Sequence, residues 1–154
     1  MIEELFNDDF IEYIQLLNTH QVEYLLVGGM AVNIYGYLRS TGDMDIWVNA
    51  TKTNHERLIK VHVDFRMPLG EMGELSNFLD TTNYDVFRFG GGYSHIDIMT
   101  VCKGLFFDVA VKRAEEITIK GTTFNCVAFD DLLIAKKASG RYKDLDDIEN
   151  LGEK

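Results

Sequence analysis

Apolar and polar positions along this chain fall into short blocks that switch between the helical and the extended period. Residues 8–18 carry apolar positions at helical spacing, with Asp8 or Asp9 placed to cap them. Residues 22–27 read as a buried strand. A short helix over 30–37 follows the pair Gly28-Gly29, and 45–48 form a second apolar strand. Residues 51–60 read as a helix capped by Thr51 or Thr53. Pro68, Gly70 and Gly73 make 64–82 a loop with a short helix through 75–79. Residues 84–89 and 95–99 pattern as a hairpin joined through Gly90-Gly91-Gly92. A helical stretch over 106–114 precedes a second, tight hairpin of 117–120 and 122–127 around Gly121. Residues 129–139 form a helix with Asp130 or Asp131 in its first turn and Gly140 as its stop, and 142–151 add a further helical turn or two.

Strand and helix alternate early and hairpins dominate the middle. The pattern predicts an α/β (α+β) fold: a mixed β-sheet flanked by helices, with C-terminal helices. No linker or repeat interrupts it, so residues 1–154 read as a single domain, with a core of about 20–127 and a helical part of about 128–151.

Composition narrows the function classes. An apolar content of 46% with 12% aromatics excludes a disordered chain. Against 15 Lys and Arg stand 25 Asp and Glu, a formal charge of −10 that disfavours indiscriminate binding to nucleic acid or anionic membrane. No apolar run is long enough to span a bilayer, and the acidic N-terminus lacks a signal-peptide pattern. Cys102 and Cys126 have no metal-type spacing and read as reduced core thiols. These features predict a cytoplasmic protein.

Candidate chemistry begins where the second strand opens, at Asp43-Met44-Asp45. Strand side chains alternate, so the two carboxylates share a face and repel each other unless a cation intervenes. With 25 acids, about four acid-x-acid pairs arise by chance. The chain has three (Asp43/Asp45, Asp144/Asp146, Asp147/Glu149), so the pair alone carries nothing. Its setting does: it follows strand, Gly28-Gly29 and helix, and glycines before a helix expose backbone N–H groups suited to phosphate. The other two pairs lie in the polar tail and read as a solvated face. In His95-Ile96-Asp97-Ile98-Met99, Asp97 faces opposite to the two isoleucines. If that strand neighbours the second one, Asp97 joins Asp43 and Asp45 in a three-carboxylate cluster, and His95 shares its side.

Gly-Gly, 13 intervening residues, Asp-x-Asp within an apolar strand and a later apolar-Asp-apolar strand together resemble the nucleotidyltransferase superfamily of DNA polymerase beta type. Within it, the connection Ala31-Val-Asn-Ile-Tyr-Gly-Tyr-Leu-Arg-Ser-Thr-Gly42 and the ending from Leu132 to Ile148 are similar to small bacterial nucleotidyltransferase-like proteins akin to abortive-infection toxins. The resemblance spans roughly residues 20–151. It implies that Asp43, Asp45 and Asp97 bind two Mg2+ or Mn2+ ions, that Asp97 also serves as base, and that Gly28 and Gly29 cradle a nucleoside triphosphate. Gly29 departs from the serine found in many active members. Arg39, Ser40, Thr41 or backbone N–H groups are the candidates to compensate, and Arg39 can equally pair with an aspartate.

Lys136, Lys137, Arg141 and Lys143 form a basic spot that suits a triphosphate or an RNA acceptor, but also simply the helix dipole. Two functions follow from the resemblance. One is a metal-dependent enzyme moving a nucleotidyl group from a triphosphate to a hydroxyl on RNA, protein or a small molecule. The other is a non-catalytic nucleotide- or partner-binding domain, or half of a toxin–antitoxin pair. Little chain is left to build an acceptor site, so a second subunit, in a homodimer or as a partner protein, is expected to complete the acceptor cleft.

Overall fold

The computed structural model describes residues 2–91 and 94–152. After a short helix α1 (Ile2–Leu5), α2 (Asp8–Thr19) starts where the sequence predicts. Its cap is Asn7, not Asp8 or Asp9: the Asn7 side-chain oxygen accepts from the Phe10 N–H at 2.9 Å. Strand β1 (Tyr24–Val27) is buried throughout, and α3 (Gly28–Ile34) begins directly on the two glycines rather than at Met30. Strand β2 (Asp43–Val48) takes in both acids. Helix α4 (Lys52–Phe65) outruns its predicted end, with Thr51 Oγ1 as its cap. A 3-10 turn (Gly70–Gly73), α5 (Leu75–Leu79), β3 (Val86–Phe89) and β4 (His95–Met99) follow. Gly92 of the predicted Gly90–Gly92 turn lies outside the described residues. Helix α6 (Phe107–Arg113) leads into the hairpin β5 (Glu115–Ile119) and β6 (Thr122–Cys126). Its tight turn is made possible by left-handed backbone at both Lys120 (φ 51°) and Gly121 (φ 75°). Helices α7 (Phe129–Ser139) and α8 (Tyr142–Leu151) close the fold, separated by Gly140 in the left-handed conformation at φ 63°.

The six strands form one mixed sheet in the order β3-β4-β2-β1-β6-β5. Strands β1 and β2 are antiparallel, while β2 pairs with β4, and β1 with β6, in parallel. Met44, Ile46, Ile96, Ile98, Phe87 and Phe89 are buried on one face, toward α2 and α4. Phe89 meets the His62 ring edge-on at 4.6 Å, and His62 in turn shares a 2.7 Å hydrogen bond with Tyr13 of α2. Burial forces His62 to stay neutral, with its pKa lowered to about 4. On the opposite face stand Asp43, Asp45, Asp97 and Arg88, since residues two apart or directly paired share a side. Among the described residues no helix is long and apolar enough to cross a membrane.

Candidate active site

Register brings the acids together. Asp45 lies directly opposite Asp97 across the parallel β2–β4 ladder, and Asp43 lies opposite His95. Directly paired residues in adjacent strands have side chains about 5 Å apart at the β-carbon. Burial, then the charges of Asp97 and Asp43, push the pKa of Asp45 up to about 6, while Lys136 and Lys143 draw it down. Asp43 is better solvated, and it accepts from His95 Nδ1 at 3.1 Å.

Gly28 is fixed by this crowding. It holds φ at +70°, and Asp45 Oδ2 occupies the space a β-carbon would need. A β-carbon on Gly29 would meet Thr41 Oγ1 at 3.0 Å and Arg39 Nη2 at 3.4 Å. Thr41 thus sits beside the glycine turn, its hydroxyl donating to the Asp43 carbonyl at 3.2 Å. No side chain caps the first turn of α3. The cleft enclosed between this turn and helices α7 and α8 measures about 100 Å3. Met99, Cys102, Val127 and Leu132 give it an apolar wall, and Lys136, Arg141 and Lys143 a basic one.

Two of the expected nucleotide contacts are also paired with acids of the chain. Arg39 forks onto Asp147, with Nε to Oδ1 at 2.7 Å and Nη2 to Oδ2 at 2.9 Å. Lys136 is buried and bonds Asp147 at 3.0 Å and Asp144 at 3.3 Å. Arg141 adds a fork onto Asp144 at 2.7 and 3.1 Å. Asp144 and Asp147 are fully buried, so the expectation of a solvated acidic tail is overturned for both. Burial raises the pKa of the two carboxyls, but their basic partners outweigh it and hold both below the usual range. Three cations around two carboxylates tie α8 to α7 and to the α3–β2 connection. The network is therefore the frame of the cleft: Lys136 lines it while paired to both carboxylates, and Arg39 braces it through Asp147.

Sequence reasoning missed Arg88. Register places it opposite Asp97 across the β3–β4 hairpin. Its guanidinium forks onto the carboxylate, Nε to Oδ1 at 3.0 Å and Nη2 to Oδ2 at 3.2 Å, and Nη2 lies 3.6 Å from Asp43 Oδ2. The signal was the alternation Phe87-Arg88-Phe89, which puts one cation on the polar face of a strand next to Asp97. Among the described residues no three His, Cys, Asp or Glu side chains stand together as a ready metal cage.

Comparison with known proteins bears on this arrangement. A family described as "Nucleotidyl transferase of unknown function (DUF2204)" matches residues 6–154. A solved structure titled as the lincosamide antibiotic adenylyltransferase LnuA, lincomycin-bound, shares the fold at a TM-score of 0.61 and 18% identity. The alignment covers 94% of this chain and 95% of that one. No curated protein matches the chain by sequence.

Proposed function

The chain belongs to this family of nucleotidyl transferases, and from that premise we propose that it moves a nucleotidyl group from a nucleoside triphosphate to a hydroxyl. In this reading Asp43, Asp45 and Asp97 hold divalent cations. One observation carries it: the parallel β2–β4 register that sets Asp45 against Asp97 beside the Gly28-Gly29 turn. A purely structural sheet gains nothing from three facing carboxylates, one of them resisting ionisation until pH 6 or so. Carboxylate oxygens are the donors that Mg2+ and Mn2+ prefer. Bound there, such ions neutralise phosphate charge and stabilise the attacking and leaving oxygens.

The chain's own residues supply the rest. The first turn of α3 keeps its backbone N–H groups free of any side-chain cap, which suits phosphate oxygens, and Thr41 offers a hydroxyl beside Gly29. The apolar wall of Met99, Cys102 and Leu132 suits a sugar or base. The acceptor oxygen attacks the α-phosphorus as the bond to the pyrophosphate breaks. The hydroxyl proton passes to Asp97, which must first shed Arg88. The fold shared with a lincosamide adenylyltransferase supports a small-molecule acceptor ahead of RNA or protein.

A second reading, binding without transfer, is favoured by the Arg88 fork that caps both Asp97 oxygens. Incubation with α-labelled triphosphates, magnesium and fractionated lysate separates the two. Transfer of label to an acceptor by wild type but not by Asp45→Asn supports the enzyme. Nucleotide binding with no labelled product from any fraction supports the second reading.

A further inference from the structure

We propose that Arg88 is a positioning residue that serves as the acid cluster's internal cation, so that the chain without nucleotide takes one divalent ion and Asp97 accepts an ion only by exchange for Arg88. The inference rests on the metal-binding reading above. Three carboxylates bring three negative charges, and the Arg88 guanidinium returns one of them. Its fork occupies both Asp97 oxygens, and the 3.6 Å approach to Asp43 places it between two of the three acids.

Charge then sets the order of events. One divalent ion on Asp43 and Asp45, with Arg88 on Asp97, brings the cluster to neutrality. A second ion at Asp97 must displace a like charge, and the displacement is favoured only when the triphosphate adds its own negative charge nearby. Exchange is feasible because the two partners differ in exposure. Asp97 is buried, whereas the Arg88 side chain is 60% exposed on the edge strand β3 and has solvent to move into. A guanidinium fork on a carboxylate is strong in geometry yet weak in net terms when one side is wet. It therefore holds Asp97 in place without locking it.

Mn2+ titrated by calorimetry into the whole chain, with and without a non-hydrolysable triphosphate, tests this. Wild type is expected to bind one ion without nucleotide. Arg88→Gln is expected to bind Mn2+ about three- to tenfold more tightly, or to take a second ion, since an exposed ion pair is worth up to about a factor of five and a repelling charge is removed as well. Arg88→Lys, which keeps the charge but loses the fork, is expected to fall between the two and decides the matter should Arg88→Gln fail to fold. In an Asp97→Asn background the Arg88→Gln gain is expected to shrink to the part that comes from removing the charge beside Asp43. A merely structural arginine would give the opposite sign, looser binding on removal. Wild type that binds Mn2+ while neither Arg88 variant binds it more tightly overturns the inference and leaves the metal reading standing. No Mn2+ bound by any variant, even with triphosphate, overturns both.

Discussion

The raised pKa of Asp45 makes a stability prediction with a definite sign. Consider Asp45→Asn in the presence of a chelator. The folded-state pKa of about 6 against an ordinary 3.8 is a gap of roughly two units, or about 3 kcal/mol at about 1.4 kcal/mol per unit. The folded chain binds this proton more tightly than the unfolded chain. The favourable contribution is therefore complete below pH 3.8 and lost as pH rises through 6. Asparagine removes the charge that has to be buried at neutral pH, so the variant should be more stable than wild type by about 1–3 kcal/mol at pH 7.5, and equal to it near pH 4. His62 runs the other way. Its folded pKa of about 4 lies below the usual 6.5, so its contribution is complete above 6.5 and lost as pH falls through 4, again roughly 3 kcal/mol. In wild type the two terms oppose each other between pH 4 and 6 and flatten the profile. In Asp45→Asn only the His62 slope remains there. Urea unfolding at half-unit steps from pH 4 to 8 measures both curves, and subtracting them removes every titration the two proteins share. Parallel curves, or a variant less stable than wild type at pH 7.5, would refute the argument that Asp45 is buried against its own charge.

Three further outcomes are expected. Asp147→Asn leaves Arg39 and Lys136 short of their shared partner in a buried setting and should cost about 3–5 kcal/mol; a denaturation midpoint within error of wild type would show that the network is not the frame of the cleft. Gly28→Ala demands a left-handed backbone of a residue with a β-carbon and pushes Asp45 aside. It should cost about 1–3 kcal/mol and weaken Mn2+ binding, so unchanged calorimetry would contradict the packing described here. Asp97→Asn keeps shape but removes the base and should cut turnover about 10²–10⁴-fold with little change in triphosphate affinity, which a transfer assay run beside nucleotide titration resolves.

Much of the secondary structure was legible because it is written in local periodicity. The bounds of α5, β4, α7 and α8 follow from apolar spacing and glycine stops, which depend on neighbours a few residues away. That Asp43 and Asp45 share a face is likewise local, a consequence of the strand period. Local reasoning failed at α8. There Asp144, Asp147, Ile148 and Leu151 are buried at positions i, i+3, i+4 and i+7. That is the ordinary spacing of an inward face, but carboxylates read as solvent-seeking unless their partners are known. The partner of Asp147 is Arg39, 108 residues away.

The sequence alone thus determined the elements, the glycine turn and the paired acids of β2. Tertiary structure alone decided which strand lies beside which, and that decision makes the site. Parallel pairing of β2 with β4 puts Asp97 against Asp45, and the β3–β4 hairpin puts Arg88 on Asp97. It also paired Arg39 and Lys136 with Asp147 of α8. The reason is physical. A charged side chain specifies no partner by itself, and buried charges settle on whichever opposite charge the packing of distant elements brings within reach.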